Sequence, residues 1–206
     1  MSTYSNADTG SKPADPYKVA NKEDDIPVND KIEALNKFVA SCKFGMMTTR
    51  DVGTGRLVSR CMALAAKENG GVDQLFFTNT ESKKTDELEG DPHVNVSFLD
   101  SSGQWASVSG ITSIETDRGL VKKYYQPSLK AWMGDLADGI HDGSENDPRI
   151  GIIRVKMTTA TYSTSDKTFL GFAAEVAKGT MTGQPASVNK LREISEGEIQ
   201  SWRASH

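Results

Sequence analysis

Arg60 stands in the run Ser59-Arg60-Cys61-Met62-Ala63-Leu64, a charged side chain inside an otherwise apolar stretch. If the run is a strand, its two-residue period puts Arg60, Met62 and Leu64 on one face. A cation on such a face has to be paired or to bind an anion. A guanidinium suits phosphate, because its planar fork gives two charge-assisted hydrogen bonds. The alternatives at this position are an ordinary exposed strand arginine and an intramolecular ion pair.

A second candidate is Thr78-Asn79-Thr80-Glu81-Ser82-Lys83-Lys84, where hydroxyl and amide groups end a strand and a helix begins at Ser82. Cations in the first turn of a helix oppose its dipole by ~0.3–1 kcal/mol each. An anion held on the free N–H groups there reverses that cost, so the arrangement points to phosphate. A solvated basic loop is the alternative. Barrel pairing that brings Arg60 to Lys83 and Lys84 makes the joint assignment stronger than either alone. Two indoles can flank a flat ring system: Trp105, at a strand start, and Trp132, in Leu129-Lys130-Ala131-Trp132-Met133. Core packing and dimer contact are their other uses. Cys61 beside Arg60 is either a thiol of lowered pKa or a buried inert one.

The rest of the composition excludes several classes. The chain has 206 residues and a formal net charge of −4, so general nucleic-acid or membrane-surface binding is not expected. Two cysteines, Cys42 and Cys61, make neither a disulfide framework nor a metal site. His93, His141 and His206 lie far apart without ligand spacing, so no metal is expected. No run of ~18 apolar residues exists, and the N-terminus lacks the apolar core of a secretory signal. A cytoplasmic, reduced location is the resulting expectation.

The elements that must position these residues follow from periodicity. Residues 1–28 are polar, with Gly10, Pro13, Pro16, Pro27 and the run Lys22-Glu23-Asp24-Asp25, and are expected as a flexible arm, docked at most through Tyr17. Ile32, Leu35, Phe38, Val39 and Cys42 recur at helical spacing. A β-hairpin is predicted over 44–66 around the turn 51–55, then strands over 74–79, 93–99, 104–115 and 149–162. Short helices are predicted over 82–89 and from 116 to 124 or 125, with an irregular stretch over 126–148 and a further helix over 168–178. Residues 184–206 are expected as a polar tail. About six mostly sequential strands without βαβ alternation argue for a mainly β fold, an antiparallel barrel with peripheral helices, in one domain over 29–183.

The ordered series Arg60-Cys61-Met62-Ala63-Leu64, Phe76-Phe77-Thr78-Asn79, Ser82-Lys83-Lys84 and Pro92-His93-Val94-Asn95-Val96-Ser97-Phe98 resembles the pyridoxamine 5′-phosphate oxidase-like superfamily. Trp105-Ala106-Ser107-Val108-Ser109-Gly110, Leu129-Lys130-Ala131-Trp132 and Thr161-Tyr162-Ser163 followed by Gly171-Phe172-Ala173 are similar to its general-stress branch. The polar N-terminal arm points to the fungal, blue-light-inducible subgroup. The resemblance implies a six-stranded, Greek-key-like split barrel and a homodimer with FMN at the subunit interface. It implies that Arg60 and Lys84 hold the flavin phosphate, with Ser82 and Lys83 assisting. The backbone of Cys61-Met62-Ala63 and the Phe77-Thr78 strand end would line the isoalloxazine. Trp105 falls where the oxidases carry a glutamine near the flavin, and Trp132 would approach from the partner subunit.

Two departures matter. Ala65 stands where the true oxidases carry a lysine, and their C-terminal arginine-x-histidine motif is replaced by Trp202-Arg203-Ala204-Ser205-His206. Oxidation of a vitamin B6 phosphate is therefore not expected. The leading expectation is a general-stress FMN flavoprotein, an NAD(P)H-linked oxidoreductase of unassigned substrate and unassigned catalytic residues. The alternative is a non-catalytic module that sequesters flavin or senses stress. FAD is the alternative to FMN. A haem or deazaflavin barrel ranks third, because His93 is the only conceivable haem ligand and packing accounts for it better.

Overall fold

The computed structural model describes residues 15–23 and 25–206. Six antiparallel strands close a barrel: β1 (Phe44–Arg50), β2 (Leu57–Glu68), β3 (Asp73–Asn79), β4 (His93–Leu99), β5 (Trp105–Glu115) and β6 (Ile150–Thr164). Around the wall they run β3-β2-β1-β4-β5-β6, and β6 pairs back to β3. The connection from β3 to β4 crosses the barrel end and carries helix α3 (Lys83–Gly90), which makes the order Greek-key-like. This is the split-barrel class expected from the sequence.

Alternation drives the closure. Along β1 the residues Gly45, Met47 and Thr49 are buried while Phe44, Met46 and Arg50 are exposed. Gly45 leaves room for a neighbour: a Cβ there would lie 2.8 Å from side-chain atoms of both Phe98 and Val96. Phe76, Phe98, Met47, Val96, Val108 and Tyr162 fill the interior. Helix α2 (Val28–Cys42) is part of this core, with Ile32, Leu35, Phe38 and Val39 buried. The Tyr162 hydroxyl donates to the Lys31 carbonyl at 2.7 Å, so a polar group in the core is satisfied by the helix.

A second apolar cluster forms around Leu75, Val121, Ile150 and Ile152, with Phe77, Leu129 and Met133 packed on it. Leu75 and Phe77 alternate with the inward Phe76, so this cluster lies outside the barrel. It seats the β5–β6 connection, which contains α4 (Arg118–Tyr124) and α5 (Lys130–Met133). Arg149, buried, bonds both oxygens of Asp147 and the carbonyls of Met133 and Gly134, which pins the irregular stretch.

Both chain ends carry more structure than their polar composition predicts. Residues 1–14 of the expected arm lie outside the described residues. Residues 16–21 form helix α1 (Pro16–Asn21). Buried Asn21 donates to the Ala186 carbonyl and accepts from the amides of Val188 and Asn189. Glu23 pairs with Arg192 at 2.7 Å. Beyond α6 (Phe169–Thr182), the stretch expected as a tail adds β7 (Lys190–Ile194) to β6 and then α7 (Glu196–Ser205). Ser195 and Glu198 cap α7 reciprocally. Its Trp202 covers Gly70, where φ is +66° and a Cβ would meet the indole at 2.5 Å. The stretch reads as a tail because Ile194, Ile199 and Trp202 are spread thinly among polar residues; their burial depends on a surface that the barrel supplies.

Candidate functional site

The barrel wall is incomplete along one seam. β2 pairs with β1 from Leu57 to Ala63 but with β3 only between Leu64 and Glu68, where the register also shifts. The last residues of β3, Phe77 to Asn79, pair with β6 alone. The backbone edges of residues 57–63 and 77–79 therefore flank a cleft without ladder bonds between them. At the end of β3 the chain turns and α3 begins, with Ser82 as its N-cap.

Arg60 lies opposite Met47, which is fully buried, so its side chain points to the inner side of β2. There it meets α3. Arg60 Nη1 donates to Glu87 Oε2 at 2.8 Å and Nη2 donates to Glu87 Oε1 at 2.9 Å. Nη1 also donates to Thr49 Oγ1 at 2.9 Å. The intramolecular ion pair, one of the sequence alternatives, is thus present. It uses three of the five guanidinium N–H groups, so it does not exhaust the fork. The Arg60 bonds hold the Glu87 carboxyl below its usual range in spite of burial.

Lys84 is half-buried on the same helix. Burial, and next the positive charge of Arg60, push its ammonium below the ordinary lysine value; Glu87 offsets part of this. Among the described residues Lys84 forms no ion pair. Ser82 Oγ is buried without a hydrogen-bond partner. Two cations and one carboxylate thus interact along α3, and the start of the same helix adds free N–H groups and an unpartnered buried hydroxyl. Their surplus is one positive charge plus donors, which a phosphate group satisfies.

The other expected residues divide around this point. Lys83 pairs with Asp51 at 3.2 Å and is largely exposed, which anchors the β1–β2 turn at the rim. Cys61 and Ala63 face outward from β2 and are exposed, while Met62 is buried inward. Phe77 is half-buried in the outer cluster, and Thr78 is buried, donating to the Asn79 carbonyl at 3.2 Å. Trp105 is not at the seam within one protomer. It lies on β5, which β4 and β1 separate from β2, three strand spacings or about 14 Å along the wall. Trp132, on α5, is 85% exposed; its neighbours Leu129 and Met133 pack in the cluster that holds Phe77. Lys67, two residues beyond Ala65 and not among the expected site residues, donates to the Asn36 carbonyl of α2 at 3.0 Å, away from the seam. Sequence reasoning missed Glu87 and Thr49. Glu87 had a faint signal, an acid one helical turn after Lys84; Thr49 had none.

Among the described residues, no helix is long and apolar enough to cross a membrane, and no group of three or more His, Cys, Asp or Glu side chains is placed to hold a metal ion.

Comparison with known proteins gives the same fold and a lineage. The chain is 64% identical over 204 residues to the protein bli-3 of Neurospora crassa, covering 98% of each chain. A crystal structure of a protein related to general stress protein 26, from Clostridium acetobutylicum, superposes with a TM-score of 0.58 at 15% identity, covering 83% of this chain and 98% of that one. A pyridoxamine 5′-phosphate oxidase-related, FMN binding protein from Nostoc punctiforme superposes with a TM-score of 0.50 at 9% identity, covering 65% and 80%. The family model described as pyridoxamine 5′-phosphate oxidase like matches residues 30–187. With the split barrel, the seam between β2 and β3 and this match in agreement, the chain belongs to the pyridoxamine 5′-phosphate oxidase-like family.

Proposed function

We propose that the protein is a flavoprotein of the general-stress type that holds FMN in the seam between β2 and β3. The observation that carries this is the buried, unpartnered Ser82 Oγ at the N-cap of the helix that carries the half-buried Lys84 ammonium, a donor set short of one anion. Ser82, Lys84 and the start of α3 take the phosphate together with the free edge of Arg60, and Lys83 assists from the rim. The backbone of Cys61-Met62-Ala63 and the Phe77-Thr78 strand end line the ring system. A bound flavin supplies electron and hydride transfer; the chain's own residues bind and orient it.

The same proposal includes a homodimer in which Trp105 and Trp132 complete the partner's cleft. Large apolar side chains exposed in the protomer support it: Phe44, Met46 and Leu99 on the barrel, Leu170 and Met181 on α6, and Trp132 itself. Two free cysteines agree with a cytoplasmic setting.

A second reading is a non-catalytic module that sequesters or senses flavin. The seam supports it by its side chains: apart from Cys61, neither the residues 61–63 nor Phe77 and Thr78 offer an acid or base. The test of the first claim is purification of the full chain followed by titration with FMN; a colourless protein that takes up no FMN refutes it. Anaerobic mixing with NADH or NADPH then separates the readings. Fast flavin reduction with transfer to an acceptor supports an oxidoreductase, and its absence supports the binding module.

A further inference from the structure

Arg60 enters the cleft already held. Its bonds to Glu87 and Thr49 are joined by a third contact, in which Thr49 Oγ1 donates to Glu87 Oε2 at 2.6 Å. Three side chains from β1, β2 and α3 thereby close a ring that fixes the plane of the guanidinium. The Glu87 side chain is 3% exposed and that of Arg60 29%, so the carboxylate grips from the buried side while part of the arginine reaches solvent. The ring occupies the Nη1–Nη2 end of the fork. The Nε hydrogen and the second Nη2 hydrogen remain, and they lie side by side on one edge, the spacing that meets two oxygens of a phosphate.

Stability alone does not account for the ring. A buried ion pair roughly breaks even against apolar packing, because desolvation offsets the attraction. A fixed guanidinium edge at the mouth of a cation-rich cleft does account for it. We infer that Glu87 and Thr49 are positioning residues of the phosphate subsite, which preset Arg60 so that its Nε–Nη2 edge meets a phosphate monoester without rearrangement. The inference rests on the phosphate site proposed above.

Glu87 is itself an anion, so deleting its charge alters phosphate attraction for a separate reason. The test therefore keeps the charge. Calorimetric titration of the full chain uses FMN and riboflavin, which differ only by the phosphate. Glu87→Asp retracts the carboxylate by one methylene, Thr49→Val removes the hydroxyl at nearly constant shape, and Thr49→Ser restores it. Ordering one long side chain anew corresponds to a three- to tenfold rise in Kd for FMN. That rise is expected in Glu87→Asp and Thr49→Val, with riboflavin unchanged and Thr49→Ser native. Unchanged FMN affinity in both variants overturns the inference, and so does equal weakening of both ligands, which marks a merely structural role. If Glu87→Asp does not fold, the Thr49 pair decides alone. Failure of the phosphate site is a different result: the native chain then binds FMN no better than riboflavin, and the inference falls with it.

Discussion

Replacing Lys84 by methionine should move affinity and stability in opposite directions. In the flavin-free protein the Lys84 ammonium is half-buried, without an ion pair among the described residues, and destabilised first by burial and then by Arg60. Methionine keeps the length of the stem and removes the charge, so the protomer should unfold at a higher temperature. For a chain of this size each 1 kcal/mol corresponds to roughly 2–4 °C. FMN binding should weaken, because a hydrogen bond from a charged donor is worth about 1.5–3 kcal/mol, or roughly ten- to a hundredfold in Kd. Riboflavin binding should not change. Scanning calorimetry of the flavin-free chain and titration with both ligands measure the three quantities. A raised unfolding temperature with unaltered FMN affinity would show that Lys84 is only a strained cation, and the phosphate assignment would fall. The pH dependence has a defined sign. The folded-state pKa lies below the unfolded one, so the unfolded chain binds more protons just under the ordinary lysine range and stability rises with pH there. FMN affinity should fall over the same window as Lys84 loses its proton.

Truncation after residue 183 removes Val188, Leu191, Ile194, Ile199 and Trp202, all buried. At ~1.5–3 kcal/mol for each large side chain the loss is on the order of 8–15 kcal/mol, comparable to the whole stability of a domain. The shortened chain should show no cooperative thermal transition, and a transition near the native temperature would refute this. Asp147 is fully buried against Arg149, whose hydrogen bonds hold its carboxyl at about 2. Because the folded pKa is depressed, the stabilisation is present above the ordinary carboxylate value and is lost as pH falls through about 2. Asp147→Asn leaves a buried guanidinium without its partner, which costs about 3–5 kcal/mol. Urea unfolding should show that deficit at pH 7 and a much smaller one near pH 2; an equal gap at both values would contradict the pairing.

Local periodicity carries much of this structure. Alternation in Phe44–Arg50 and His93–Leu99 shows which side chains face inward, because a strand has only two faces. The same rule separates Arg60 from Cys61, and Ser82 is recognisable as a helix start because it precedes a polar helix after a strand end. Tertiary packing alone decided the rest. The partners of Arg60 come from a helix residue 27 positions on and from the preceding strand, β1, and no pattern within β2 can announce them. Asn21 likewise gains its meaning from backbone groups more than 160 residues on. The amino-acid sequence by itself thus determined the strands, their inward faces and the cations at the head of α3, since these depend on neighbours a few residues apart. Only closure of the barrel decided that Glu87 and Thr49 grip Arg60 and that the polar C-terminal stretch folds onto the wall, since both depend on surfaces that exist only after distant strands have paired.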